Sequence, residues 1–282
     1  MKQTSIQFRL FKNMLFKSVI VLISSLCAVP LVLVLYFITK KGIASISWSF
    51  LTNLPKPVGE TGGGISNAIT GTLMLIIVAS IIAVPVGIFG GVYLAENKKS
   101  RIAGIARTCV EVLQGVPSIV IGIIAYLWIV KPTSSFSALS GSVALAMMML
   151  PVIVRTTEET ISLIPYSIKE AGLALGVPYH KVLLKVVIPS GLSGIVTGIT
   201  ISIARVAGET APLLFTAFGN PFQNYNILRP MNSLPLLVFN YATSPYQDLK
   251  DQAWGASFVL LVMILLINIL TKIAIRRWKI QF

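Results

Sequence analysis

Six stretches of the chain are long, apolar and almost free of charge, and the polar positions gather between them. Uncharged runs cover residues 19–38, 61–95, 112–130, 132–154 and 252–271, and residues 186–228 carry charge only at Arg205 and Glu209. Crossing the hydrocarbon core of a bilayer as a helix takes about 20 predominantly apolar residues. Each of the first five runs therefore predicts one span, and the sixth predicts a tilted span followed by a membrane-adjacent segment. The runs follow neither the alternation of a half-buried strand nor the one-faced stripe of a soluble helix. The pattern predicts an all-α integral membrane protein with six transmembrane helices.

Composition sharpens this. Hydrophobic residues make up 55% and charged residues 11% of the 282 positions, less than half of the roughly 25% charge of a soluble domain. Lys and Arg set the orientation. Sixteen of the 23 fall in four groups, within residues 2–17, 98–107, 155–185 and 272–279, and only six lie in the alternate loops, at Lys40, Lys41, Lys56, Lys131, Arg229 and Lys250. Six spans with both termini cytoplasmic fit that split, so the net charge of +14 is a topology signal. The basic residues hug the span ends and form no stripe of the kind nucleic acid demands. The first run exceeds the 7–15 residues usual for the core of a cleaved signal peptide and reads as a first span. Cys27 and Cys109 sit in or near spans and read as small apolar side chains.

The loops differ in character. Residues 39–64 form an outside loop ending in the glycine run 62–64, which lacks the Gly-Lys-Ser/Thr ending of a nucleotide cradle. Residues 219–251, with Pro221, Pro230, Pro235 and Pro245, predict an irregular outside loop with short helical pieces. The longest cytoplasmic segment, 155–185, contains Ser167 followed by good helix formers, with Gly176 and Pro178 as a stop. Such a helix is too short to stand alone in water and needs a partner. A second helix begins near Lys181 and runs into the membrane through Val186-Val187-Ile188-Pro189. His180, the sole histidine, sits in the intervening turn, and Met147-Met148-Met149 reads as adaptable packing.

Two intramembrane charges stand out. Arg205 and Glu209 lie four residues apart, which on a continuous helix places them on one face. Ionisable groups at that depth cost about 2.5–3.5 kcal/mol each on insertion scales and face a pathway or a partner. With the cation N-terminal to the anion, the order is the weaker one for self-pairing. This leaves two readings open, a charge pair that locks the span and a cation lining a pathway for an oxyanion. Gly208 and Pro212 predict a local distortion. Arg155, after Pro151 near the cytoplasmic end of the fourth span, reads on physical grounds as a snorkelling residue.

The loop motif of Glu170-Ala171, Gly176 and, thirteen residues on, Pro189 resembles the "EAA" loop of ABC-importer permeases, with Gly172 in place of the second Ala. The stretches 115–120, 150–159 and 204–217 further resemble the permeases of phosphate-specific ABC importers, and the likeness runs from about Gly62 to the carboxyl terminus. The resemblance implies a type I importer permease with a cytoplasmic coupling helix. Residues 1–60 would form a tail, first helix and outside loop, and residues 61–282 a five-helix core holding the coupling loop 165–189. It assigns ATPase coupling to Glu170, Ala171, Gly172, Leu175, Gly176 and Pro189, and the substrate pathway to Arg155, Arg205 and Glu209. It implies a second permease subunit, an ATPase dimer, an extracytoplasmic phosphate-binding protein, the bacterial cytoplasmic membrane, and ATP held by the ATPase with no cofactor on this chain. The chain has no Gly-x-x-x-x-Gly-Lys-Ser/Thr, His-Glu-x-x-His or Gly-x-Ser-x-Gly sequence. Two alternatives stay open, a permease of the same architecture for another oxyanion such as sulfate, and a secondary transporter.

Overall fold

A computed structural model of the chain describes residues 6–60 and 62–276. Lys2, Arg277 and Lys279 of the basic groups, and Thr61 ahead of the glycine run, lie outside the described residues. All regular structure among these residues is helical, apart from one isolated bridge between Phe218 and Met231. The helices are α1 (Ile6–Ala44), α2 (Trp48–Thr52), α3 (Ser66–Glu96), α4 (Arg101–Gly115), α5 (Ser118–Thr133), α6 (Ala138–Ser162), α7 (Tyr166–Ala174), α8 (Tyr179–Ser190), α9 (Leu192–Val206), α10 (Ala211–Thr216), α11 (Leu234–Ala242) and α12 (Gln247–Arg276).

Four of these, α1, α3, α6 and α12, are long and apolar enough to cross a membrane. The shortest has 25 residues, about 37 Å at 1.5 Å per residue, more than the hydrocarbon core of about 30 Å. The other two expected spans are broken. α4 and α5 meet at 107°, and α8 and α9 at 66°, so the chain has six spans only when each bent pair counts as one. The first break falls inside the run 112–130. Proline disfavours the helical conformation in the residue before it, and Val116 is extended at φ −70°, ψ 128° ahead of Pro117. The fourth span begins at Ala138 and not at Pro132, because residues 131–133 finish α5 after a π-helical turn at Tyr126–Val130, and the helix stops where Ser134 turns left-handed at φ +50°.

Small residues set the packing. Ala79, Ala83, Gly87 and Gly91 recur every four residues on α3 and are buried, the pattern that lets membrane helices approach closely. A Cβ at Gly87 would lie 2.6 Å from Ile153 Cγ2, and one at Gly91 would lie 2.5 Å from Thr157 Cβ, so α3 runs parallel to α6. α9 closes on another side of α6 in the antiparallel sense: Gly194 meets Thr160 and Gly198 meets Thr156. α6 is therefore the central post. The 219–233 loop folds over its outer end, where the carbonyls of Arg229 and Ile227 accept from Ala138 N–H at 2.9 Å and Leu139 N–H at 2.8 Å. These are helix N-terminal donors that lack an intrahelical partner. By contrast, α1 leaves its apolar surface exposed and touches the bundle through α12, with Gly42 against Phe258.

Candidate transport pathway and coupling surface

The α6–α9 seam positions the two arginines. Thr197, Ile201 and Arg205 recur every four residues as an exposed stripe of α9, and Arg155 and Glu159 do the same on α6. Because Thr156 and Thr160 face α9, their sequence neighbours Arg155 and Glu159 border that seam. Antiparallel periodicity turns both stripes to the same side. Matching Gly198 with Thr156 puts Arg205 level with Met149. The two arginines are then separated along the seam by about six residues, or roughly 9 Å.

Their surroundings differ. Arg155 Nε donates to Glu159 Oε1 at 2.7 Å, and its Nη1 lies 3.8 Å from Glu158 Oε2. Glu158, whose side chain is only 10% exposed, is held more tightly by Arg107 Nε at 2.5 Å, and Arg107 also donates to the Leu94 carbonyl at 2.7 Å. This network binds α4 to α6 and to the end of α3. Arg155 is therefore an ion-paired residue seven positions inside α6. Arg205, among the described residues, has neither an ion pair nor a side-chain hydrogen bond.

Arg205 and Glu209 do not share a helix face. α9 ends at Val206, and the backbone tightens through Gly208 N–H to the Arg205 carbonyl and Glu209 N–H to the Val206 carbonyl. Pro212 explains the stop: within a continued helix its ring would clash with the Gly208 carbonyl four residues back. The chain restarts as α10, which packs so closely on α5 that a Cβ at Gly122 would lie 2.7 Å from Pro212 Cα. Gly208 and Thr210 border an apolar cavity of about 540 Å³ between α1, α11 and α12.

The coupling loop forms a separate surface. α7 starts at Tyr166, with Pro165 as its N-cap at φ −57°, not at Ser167; the fixed φ of proline suits entry into a helix. Its end is a Schellman cap, with Val177 N–H bonded to the Gly172 carbonyl, Gly176 N–H to the Leu173 carbonyl and Gly176 at φ +72°. Gly172 allows α8 to close on α7, because a Cβ there would lie 2.9 Å from Val182 Cγ2. Glu170, Ala171, Leu175 and Gly176 are exposed, and Leu175 and Leu163 are each 83% exposed. Pro189 lies in the last turn of α8, just before the bend at Gly191. The sequence reading missed Arg107 and Glu158, and also Glu96, which pairs with Lys169 at 2.5 Å and accepts from the Tyr179 hydroxyl.

The family model for the inner membrane component of binding-protein-dependent transport systems matches residues 83–278, which takes in both breaks, both arginines and the coupling loop. The chain belongs to this family of transport permeases. Within it, a phosphate transport system permease protein PstA of Yersinia pestis is 38% identical over 250 residues, 88% of this chain and 85% of that protein. A probable PstA of Methanocaldococcus jannaschii is 36% identical over 270 residues, 95% of each chain. Among solved structures, an inward-facing MetNI methionine ABC transporter aligns with TM-score 0.60 and 18% identity over 77% of this chain and 95% of that one. That likeness speaks to the fold alone.

Proposed function

We propose that this chain is the membrane-spanning permease of an ATP-driven importer of inorganic phosphate, in the bacterial cytoplasmic membrane with both termini inside. The similarity to PstA permeases over most of the chain carries the reading, and the guanidinium of Arg205, which has no partner among the described residues, supports it. A guanidinium offers five N–H donors in a fork that matches phosphate oxygens. Arg155, Arg205 and Glu209 then belong to the pathway, whose facing wall comes from a second, PstC-like permease. A phosphate-binding protein of the PstS type delivers the anion from outside.

The energy comes from a pair of PstB-like ATPases, which hold the ATP, and this chain needs no cofactor of its own. The exposed residues Glu170, Ala171, Leu175 and Gly176 of the coupling loop dock in a groove on one ATPase. Closure of the ATPases draws the paired coupling helices together and turns the pathway from one side to the other. Competition discriminates among substrates. Uptake that depends on this chain should be suppressed by unlabelled phosphate, be unaffected by equimolar sulfate, and stop on ATP depletion. Suppression by sulfate would reassign the substrate, and uptake that survives ATP depletion would mark a secondary transporter.

A further inference from the structure

The coupling helix buries a cation rather than an apolar side chain. α7 exposes Tyr166 and Leu173 beside the polar Ser167 and Glu170, its C-cap Leu175 is exposed too, and its only buried side chain is a cation, Lys169, at 8% exposure. The Lys169 ammonium lies 2.5 Å from Glu96 Oε1, and the other oxygen of the same carboxylate accepts from the Tyr179 hydroxyl of α8. Glu96 is the last residue of α3, where the negative end of the helix dipole disfavours a carboxylate. The position is poor for the stability of α3 alone and needs a cation brought from elsewhere. The turn after α3 does not lie flush on α7, because a cavity of about 860 Å³ opens between residues 95–100 and 161–166. Beside it, Val182 and Val187 of α8 share an apolar cluster with Val92 and Ala95 of α3, Ile161 of α6 and Ile195 of α9, and α7 itself reaches α3 through the ion pair.

We propose that Lys169, Glu96 and Tyr179 form a clamp that transmits movement of the coupling helix to α3, and through the Gly87–Gly91 seam to α6. The three are positioning residues. The inference rests on the importer reading above, and two measurements keep their failures apart. The assembled complex, reconstituted in vesicles, is assayed for phosphate taken up per ATP hydrolysed in Lys169→Met, Glu96→Gln and the double variant. Each single change is expected to lower the ratio at least about fivefold, the low end of coupling between linked sites, while hydrolysis continues. The double variant should be no worse than the weaker single one, because both remove one interaction. Unchanged ratios, or losses that multiply, overturn the clamp.

The second measurement is independent of the substrate. Spin labels at positions 99 and 167 follow the distance between the α3–α4 turn and α7 with and without trapped ATP. The clamp predicts a constant distance in the otherwise unaltered chain and a changed one in Lys169→Met. Equal behaviour of the two overturns it. Should the unaltered complex move no phosphate, the importer reading falls and this distance alone decides the clamp.

Discussion

Arg155 and Arg205 border one seam, about 9 Å apart along it by helical rise, yet one is bound and the other free. Arg155 is engaged by Glu159 and lies near Glu158, which a second arginine already holds. Arg205 closes the last turn of α9 with no partner among the described residues. The difference follows from the helices that carry them. α6 continues past Arg155, so residues three and four positions on supply carboxylates on the same face. α9 stops at Val206, so Glu209 is carried off the face of Arg205 by the break that Pro212 enforces. A continuous helix would have neutralised Arg205 with its own sequence; the break leaves its donors free.

The largest expected effect lies on the bound side. Glu158→Ala strands Arg107 without its buried carboxylate, and breaking such a pair costs about 3–5 kcal/mol. A marked drop in the thermal midpoint of the purified complex is expected, and an unchanged midpoint would dissolve the contrast drawn here. Next, Gly198→Val pushes side-chain volume into Thr156, toward which even a Cβ would lie 1.9 Å from Oγ1. Overpacking of this kind costs about 1–3 kcal/mol and displaces Arg205 relative to Arg155, so reduced uptake with retained assembly is expected. Full uptake would show that the seam does not set the two positions. The smallest effect on stability belongs to Arg155→Gln. Its partner Glu159 is 58% exposed, and exposed pairs are worth about 0–1 kcal/mol. A midpoint shift as large as that of Glu158→Ala would make Arg155 part of the structural lock.

Much of this was legible in the sequence, and the rest failed for identifiable reasons. Residues 19–38, 61–95 and 252–271 announce their spans because about 20 apolar residues are needed wherever a helix crosses lipid. The coupling helix is legible because Pro178 and Gly176 stop it, although Pro165, not Ser167, sets its start. The bends at Val116 and Gly191 were hidden because averaged hydropathy does not register one or two residues between helices, whereas Gly208 and Pro212 announced the distortion after Arg205. A signal for the first bend was nonetheless present in Val116-Pro117. The pairs Arg107–Glu158 and Lys169–Glu96 join residues 51 and 73 positions apart. No local pattern encodes such pairings, which exist only once α3, α4, α6 and α7 are packed.

The most direct test of the account is ATP-dependent uptake of labelled phosphate by the assembled complex, comparing the unaltered chain with Arg205→Gln. Losing one partner of a desolvated, hydrogen-bonded charge contact costs about 2 kcal/mol or more. Uptake should therefore fall at least about 30-fold, while subunit assembly and the thermal midpoint stay unchanged. Normal uptake by Arg205→Gln in an intact complex would contradict the account, because the seam arginine with no partner among the described residues would then have no part in carrying the anion.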